Sequence, residues 1–211
     1  MPDLEFRVED AEVLPFAAAP TLLFKLRVEN ADGEPVRSVA LNAQIRIAAD
    51  QRHYSSAEQG RLGELFGEAQ RWSETLKSLL WTHAAAHVPP FVGSTLVDLP
   101  VPCTYDFDVV SAKYFHALED GEVPLELLFS GTIFYAGAVG LQVARISWEK
   151  EARYRLPVRL WQEMMERYFP NSAWLRLRKD TFDRLYRYRV RASLPTWEDA
   201  LERLLRAAEE A

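Results

Sequence analysis

Four histidines, one cysteine, a pair of neighbouring aspartates and a run of arginines are the residues of this 211-residue chain whose types and spacing bear on chemistry. His83 and His87 stand four apart, a spacing that on a helix would aim two imidazoles at one metal ion. The flanking Leu79–Pro90 segment favours a strand, where their Cα atoms would lie about 13 Å apart at ~3.3 Å per residue and could not share an ion. No Glu follows His83, as a zinc-protease motif requires. Cys103, between Pro102 and Thr104, would need a histidine brought to it by the fold to act as a nucleophile. A small, inert, buried thiol is the expectation.

Asp106 and Asp108 form a D-x-D, and Glu119, Asp120 and Glu122 crowd a later turn. Acidic loops of a β-sandwich can hold calcium, which takes several hard oxygens at once. The spacing matches no EF-type loop, so solvated turns are expected. The chain also lacks a Gly-rich phosphate loop, a nucleophile elbow and paired C-x-x-C units. No cofactor, no metal and no catalytic residue is assigned.

The arginines form the denser pattern. Arg184, Arg187, Tyr188 and Arg191 fall at i, i+3, i+4 and i+7, on the helical face opposite Phe182 and Leu185, and Arg176, Arg178 and Lys179 come just before. From Trp174 to Arg191 there are seven basic residues against two acids, in a chain whose net charge is −6. The field of the whole molecule repels polyanions, which disfavours nucleic acid as the partner. An acidic protein surface or self-association fits better, since Arg and Tyr are common interface anchors. A solvated face, or pairing with the acidic surplus elsewhere in the chain, is the plain alternative.

The elements that must position these residues change character at Pro157. Before it, period-two alternation marks strands at Leu4–Val8, Leu22–Val28 and Val39–Ile47, with a turn at Asn30–Gly33. Ser56 and Gln59 read as a capping box opening a helical insertion near 56–70, weakened by Gly60, Gly63 and Gly67. Strand signals resume at Leu79–Val88, Thr95–Val101, Phe107–Leu118, Val123–Tyr135 and Leu141–Trp148, with Asp120-Gly121 as the hairpin turn between the third and fourth of these. Eight strands with short connections predict, over residues 1–156, an antiparallel β-sandwich of C2-like or immunoglobulin-like kind.

Residues 157–211 read as a helical subdomain packed on the sandwich or on a partner chain. Pro157 suits a first helical position before Leu160, Trp161, Met164, Met165 and Tyr168. A second helix opens with Asp180 as cap. A third opens with Thr196 and Asp199 as a capping box, and its stripe of Trp197, Ala200, Leu201, Leu204, Leu205 and Ala208 is wide enough to need a surface. The fold class is thus mainly β with α.

An apolar fraction of 48% and a charged fraction of 27% are ordinary for a soluble globular protein. The single cysteine excludes an internal disulfide, and the Met-Pro-Asp-Leu-Glu start lacks the basic and apolar regions of a secretory signal, so the cytoplasm is the expected compartment. The longest uncharged stretch, Leu127–Ala144, contains Ser130, Thr132, Gln142 and three glycines and reads as a hairpin, with no membrane insertion.

Several segments carry a resemblance. Val101–Phe107, Lys113–Leu118 with its Asp120–Glu122 turn, Leu128–Thr132, Tyr154–Val158, Arg167–Pro170 and Leu194–Ala200 resemble an uncharacterised bacterial family, domain of unknown function 6084, over nearly the whole chain. The resemblance implies a hydrogenase-linked accessory role, because that family is associated with gene neighbourhoods of nickel–iron hydrogenases. It implies no catalytic residue. One cysteine and four scattered histidines do not make a nickel or iron–sulfur donor, so a non-catalytic binding or assembly protein is the expectation. Two readings compete with it: a hydrolase-like enzyme with a site drawn from Asp106, Asp108 and His116, and a C2-like domain that binds calcium or anionic lipid.

Overall fold

Leu4, Phe6 and Val8 point inward while Glu5, Arg7 and Glu9 face out, so the alternation read in the first ten residues becomes a half-buried edge strand in the computed structural model, which describes residues 2–106, 109–137, 140–172 and 175–210. In chain order the elements are β1 (Leu4–Val13), β2 (Thr21–Asn30), β3 (Val36–Ile47), α1 (Ser56–Phe66), α2 (Trp72–Thr75), β4 (Leu79–Val88), β5 (Ser94–Pro102), α3 (Val110–Ala117), β6 (Glu122–Gly137), β7 (Gly140–Arg145), β8 (Glu151–Pro157), α4 (Val158–Tyr168), α5 (Lys179–Arg191) and α6 (Trp197–Glu209).

All strand pairs are antiparallel. One sheet runs β1-β2-β5, and the other runs β4-β3-β6, with β8 and β7 both pairing β6, at residues 122–128 and 132–137. The two sheets face each other across a shared core. Phe6 of β1 stacks on Phe129 of β6 with ring centroids 4.3 Å apart, and Phe24 of β2 meets Trp81 of β4 and Tyr154 of β8 edge-on at 6.3 and 5.8 Å. The inward residues of β2, Leu22, Phe24, Leu26 and Val28, are sealed from water. Each contributes roughly 1.5–3 kcal/mol of transfer free energy.

The expected strand over Phe107–Leu118 is corrected to a helix, α3, with residues 107 and 108 outside the described ones. Its aromatic residues favour strands locally, but Ser111, Tyr114, Phe115 and Leu118 follow the helical period and all four are buried. Phe115 stacks on Trp161 at 5.1 Å, a contact no local propensity encodes. The Asp120-Gly121 turn is present, with Gly121 at φ +86, but it joins α3 to β6 and closes no hairpin. Conversely, β8 has no counterpart among the expected strands, although Ala152, Tyr154 and Leu156 alternate with Glu151, Arg153 and Arg155.

Helix starts also move. The capping box of α1 is Ser55 with Glu58, one residue before the expected Ser56 and Gln59. Pro157 is the N-cap of α4 and the last residue of β8, and Arg178, not Asp180, is the N-cap of α5. Thr196 and Asp199 do form the expected box at α6. The chain divides into two compact units, Met1–Trp174 and Leu175–Ala211. In the first, α4 buries Val158, Trp161, Met164 and Met165 against the sheets.

Candidate protein-docking surface

Within the second unit, α5 carries four Arg, Leu185 and three aromatic residues and is free of Gly and Pro, a composition compatible with its 13-residue helix. None of its residues is buried. α6 buries Ala200 alone. The two helices meet at Trp197, whose ring lies 5.3 Å from Phe182 and 6.2 Å from Tyr186, while the Arg189 guanidinium sits 4.2 Å above the indole. That cation–π contact makes Arg189 the arginine that holds the pair together. It fell outside the expected set, which followed one helical face. Its i, i+3 spacing from Tyr186 was the available signal, as its guanidinium also lies 5.6 Å from that ring.

The expected arginines are otherwise on the surface. Arg176 and Arg178 lie in the extended segment 175–178, with Arg178 paired to Asp180 at 3.2 Å, and Lys179 pairs with Asp183 at 3.6 Å. Exposed pairs of this kind contribute about 0–1 kcal/mol and are readily exchanged. Arg187 donates to the Asp183 carbonyl at 3.2 Å and Arg191 to the Arg187 carbonyl at 3.4 Å. Among the described residues no carboxylate pairs with Arg184, Arg187 or Arg191. A shallow cavity of about 820 Å³ runs along α5, bordered by these three arginines, Thr181, Leu185, Tyr186, Tyr188, Val190 and, from α6, Leu204. The arrangement offers positive charge beside uncovered apolar surface.

The other candidates disperse. His83 and His87 project outward from β4, opposite Gln44 and Ala40. Cys103 is buried, its Sγ donating to the Val101 carbonyl at 3.4 Å, and burial pushes the thiol up to about 12, where almost no thiolate exists to attack anything. His116 is exposed on α3 with Tyr105 edge-on at 6.3 Å, and partial desolvation of its ring, with Arg61 nearby, lowers its pKa. Asp106 is half-buried, and Asp108 lies outside the described residues. The acidic turn is occupied by arginines: Arg61 holds Glu119 at 2.7 Å, Arg159 holds Asp120 at 3.0 Å, and Arg155 reaches Glu122 at 4.0 Å. Among the described residues no three His, Cys, Asp or Glu side chains converge as a metal group, and no helix is long and apolar enough to cross a membrane.

One cluster had no sequence signal. Arg52, after β3, reaches Glu58 of α1 at 2.8 Å and the Asp120 carbonyl at 2.5 Å. Glu58 also accepts from the Ser55 and Glu119 amides. Beside it the Tyr54 and Tyr114 hydroxyls bond at 2.7 Å, and burial raises the pKa of both phenols. The cluster ties β3, α1 and the turn before β6 together.

The model of a family of unknown function, DUF6084, matches residues 1–211. No curated protein matches the chain. Among solved structures, the CARDB domain of the PF1109 protein from Pyrococcus furiosus, solved with di-metal ions, is 10% identical at a TM-score of 0.29, covering 74% of this chain and 87% of that one. β-Glucosidase 3B from Thermotoga neapolitana, solved with α-D-glucose, is 15% identical at 0.25, covering 73% and 17%. The putative ApaA protein from Bordetella pertussis is 12% identical at 0.24, covering 74% and 93%. Likenesses this weak bear on neither the fold nor the function of the present chain.

Proposed function

This chain belongs to the family of unknown function DUF6084, and we propose that it is a non-catalytic binding or assembly module whose docking element is α5. The observation that carries the reading is a helix without one buried residue that sets Arg184, Arg187 and Arg191, none held by a carboxylate among the described residues, beside uncovered Tyr186 and Val190. Such a surface fits an acidic protein face with an apolar centre, where Arg supplies charge-assisted hydrogen bonds and Tyr supplies area. Service to a nickel–iron hydrogenase is the further reach of the proposal. What supports it is the family resemblance, together with a residue set poor in soft ligands, which suits a holder of protein subunits better than a metal donor.

The test is co-purification of the tagged full chain from its native host, beside the triple variant Arg184→Glu/Arg187→Glu/Arg191→Glu. The reading expects a partner with an acidic surface, released as ionic strength rises and lost in the variant. Capture that is indifferent to both salt and charge reversal would remove α5 as the docking element.

A further inference from the structure

A unit of two helices within Leu175–Ala211 is smaller than the roughly 40 residues below which a chain usually needs a disulfide, a metal or an oligomeric partner to hold a fold. This unit contains no cysteine, and Ala200 is the only residue its helices bury. Val190 stays 56% exposed on α5 and Leu205 62% exposed on α6. A surface of that kind calls for cover. Resting on the reading that α5 is the docking element, we propose that the acidic surface it takes is α6 of a second copy of this chain, each copy giving its α5 to the other's α6.

The helical repeat supplies the complementarity. At about 100° per residue, Tyr186 and Val190 form one edge of α5, and next around the helix come Arg187 and Arg191 in its C-terminal half and Asp180 and Asp183 in its N-terminal half. On α6 the corresponding edge is Leu201 and Leu205, and next in the same rotational sense come Glu198 and Glu202 in its N-terminal half and Arg206 and Glu209 in its C-terminal half. Two helices laid antiparallel bring flanks of the same rotational sense together. Apolar edge then meets apolar edge, and the basic C-terminal half of the α5 flank meets the acidic N-terminal half of the α6 flank, Arg187 facing Glu202 and Arg191 facing Glu198, while Asp183 faces Arg206. The helices match in length, 13 residues each. A two-fold axis repeats the contact, because in an isologous pair whatever α5 does to the partner's α6, the partner's α5 does in return. Glu202 is held at 3.0 Å by Arg206 in the single chain, an exposed i,i+4 pair worth only about 0.3–0.5 kcal/mol and easily exchanged. Among the described residues Glu198 and Glu209 have no cation partner.

The experiment is light scattering on the eluting full chain, with sedimentation equilibrium over a concentration series. The native chain is expected at twice its 24.2 kDa mass. Two charge reversals, Arg187→Glu/Arg191→Glu and Glu198→Arg/Glu202→Arg, are each expected to be monomeric alone. An equimolar mixture of the two should restore the dimer, because each variant then offers the flank the other lacks. This recovery separates loss of the contact from loss of the fold. A native chain that is monomeric throughout the series, a dimer that survives either reversal, or a mixture that stays monomeric overturns the proposal. A monomer whose acidic partner is still lost in the triple arginine variant overturns self-pairing alone and leaves the docking role of α5 standing.

Discussion

Arg52 and Glu58 meet through a 2.8 Å Nη2–Oε1 contact with their side chains only 10% and 5% exposed, the most enclosed ion pair among the described residues. Glu58 is at once the partner of that guanidinium and the third residue of the capping box of α1, while the Arg52 Nη1 is buried with no hydrogen-bond partner. The pair is therefore finely balanced. Removing one charge strands the other in a site where water is scarce.

Glu58→Ala should lower unfolding free energy by about 3–5 kcal/mol, the usual cost of leaving one member of a buried pair alone. The double variant Arg52→Met/Glu58→Met should lose clearly less, because no charge is left behind. Urea unfolding of the full chain measures both. A double loss equal to the sum of the losses in Arg52→Met alone and Glu58→Met alone would show that the pair is not coupled.

Stability should fall on acidification through the turn that joins α3 to β6. Arg159 holds the Asp120 carboxyl below its ordinary 3.8, and Arg61 holds Glu119 below its ordinary 4.5. Because the folded-state values are depressed, the contribution is fully present above those ordinary values and disappears as pH falls through the lower folded-state ones. Asp120→Asn should flatten this acid limb in thermal melts taken between about pH 5 and pH 2. An unchanged limb would assign the acid sensitivity elsewhere.

Cys103 should resist alkylation while the chain is folded. With burial pushing the thiol up to about 12, the thiolate fraction near neutral pH is roughly 10³ lower than that of a free cysteine, and access is closed as well. Iodoacetamide labelling followed by mass measurement should be slow in buffer and rapid in urea. Rapid labelling of the folded chain would contradict the burial of this residue.

Two glycines should respond oppositely to alanine. Gly131 of β6 lies at φ +146, and a Cβ there would stand 2.1 Å from the Ala40 carbonyl oxygen on β3, so Gly131→Ala should cost about 2–4 kcal/mol and distort the strand pairing. Gly60 in α1 has open space around the corresponding position, and Gly60→Ala should add about 0.5–1 kcal/mol through helix propensity. Melting temperatures of the two variants should move in opposite directions.

Period-two alternation is a local signal, and it made β1, β2 and β3 legible without any tertiary contact. β4 runs over Leu79–Val88, the span the sequence predicts. The Thr196/Asp199 box was legible for the same reason, since both partners lie within one turn. At the candidate surface the sequence predicts the charge excess and the helical spacing of Arg184, Arg187 and Arg191. It does not reveal that Arg189 is drawn over Trp197, eight residues away across a turn.

What only the tertiary structure decided involves groups distant in sequence. The aromatic run from Tyr114 to Phe115 favours a strand until Trp161 and the core draw it into α3, where a helical stripe buries both rings. The cap of α1 settles on Ser55 because Glu58 is held by Arg52 and the Glu119 amide, 61 residues away for the latter. The sequence by itself determined an antiparallel strand-rich body, a helical tail and a basic stripe on α5, since repeat period and charge are set by nearest neighbours. Which polar groups are enclosed, which arginines stay uncovered and which segment gives up its local preference were decided by burial, because the free energy of desolvation depends on partners that only the folded chain brings together.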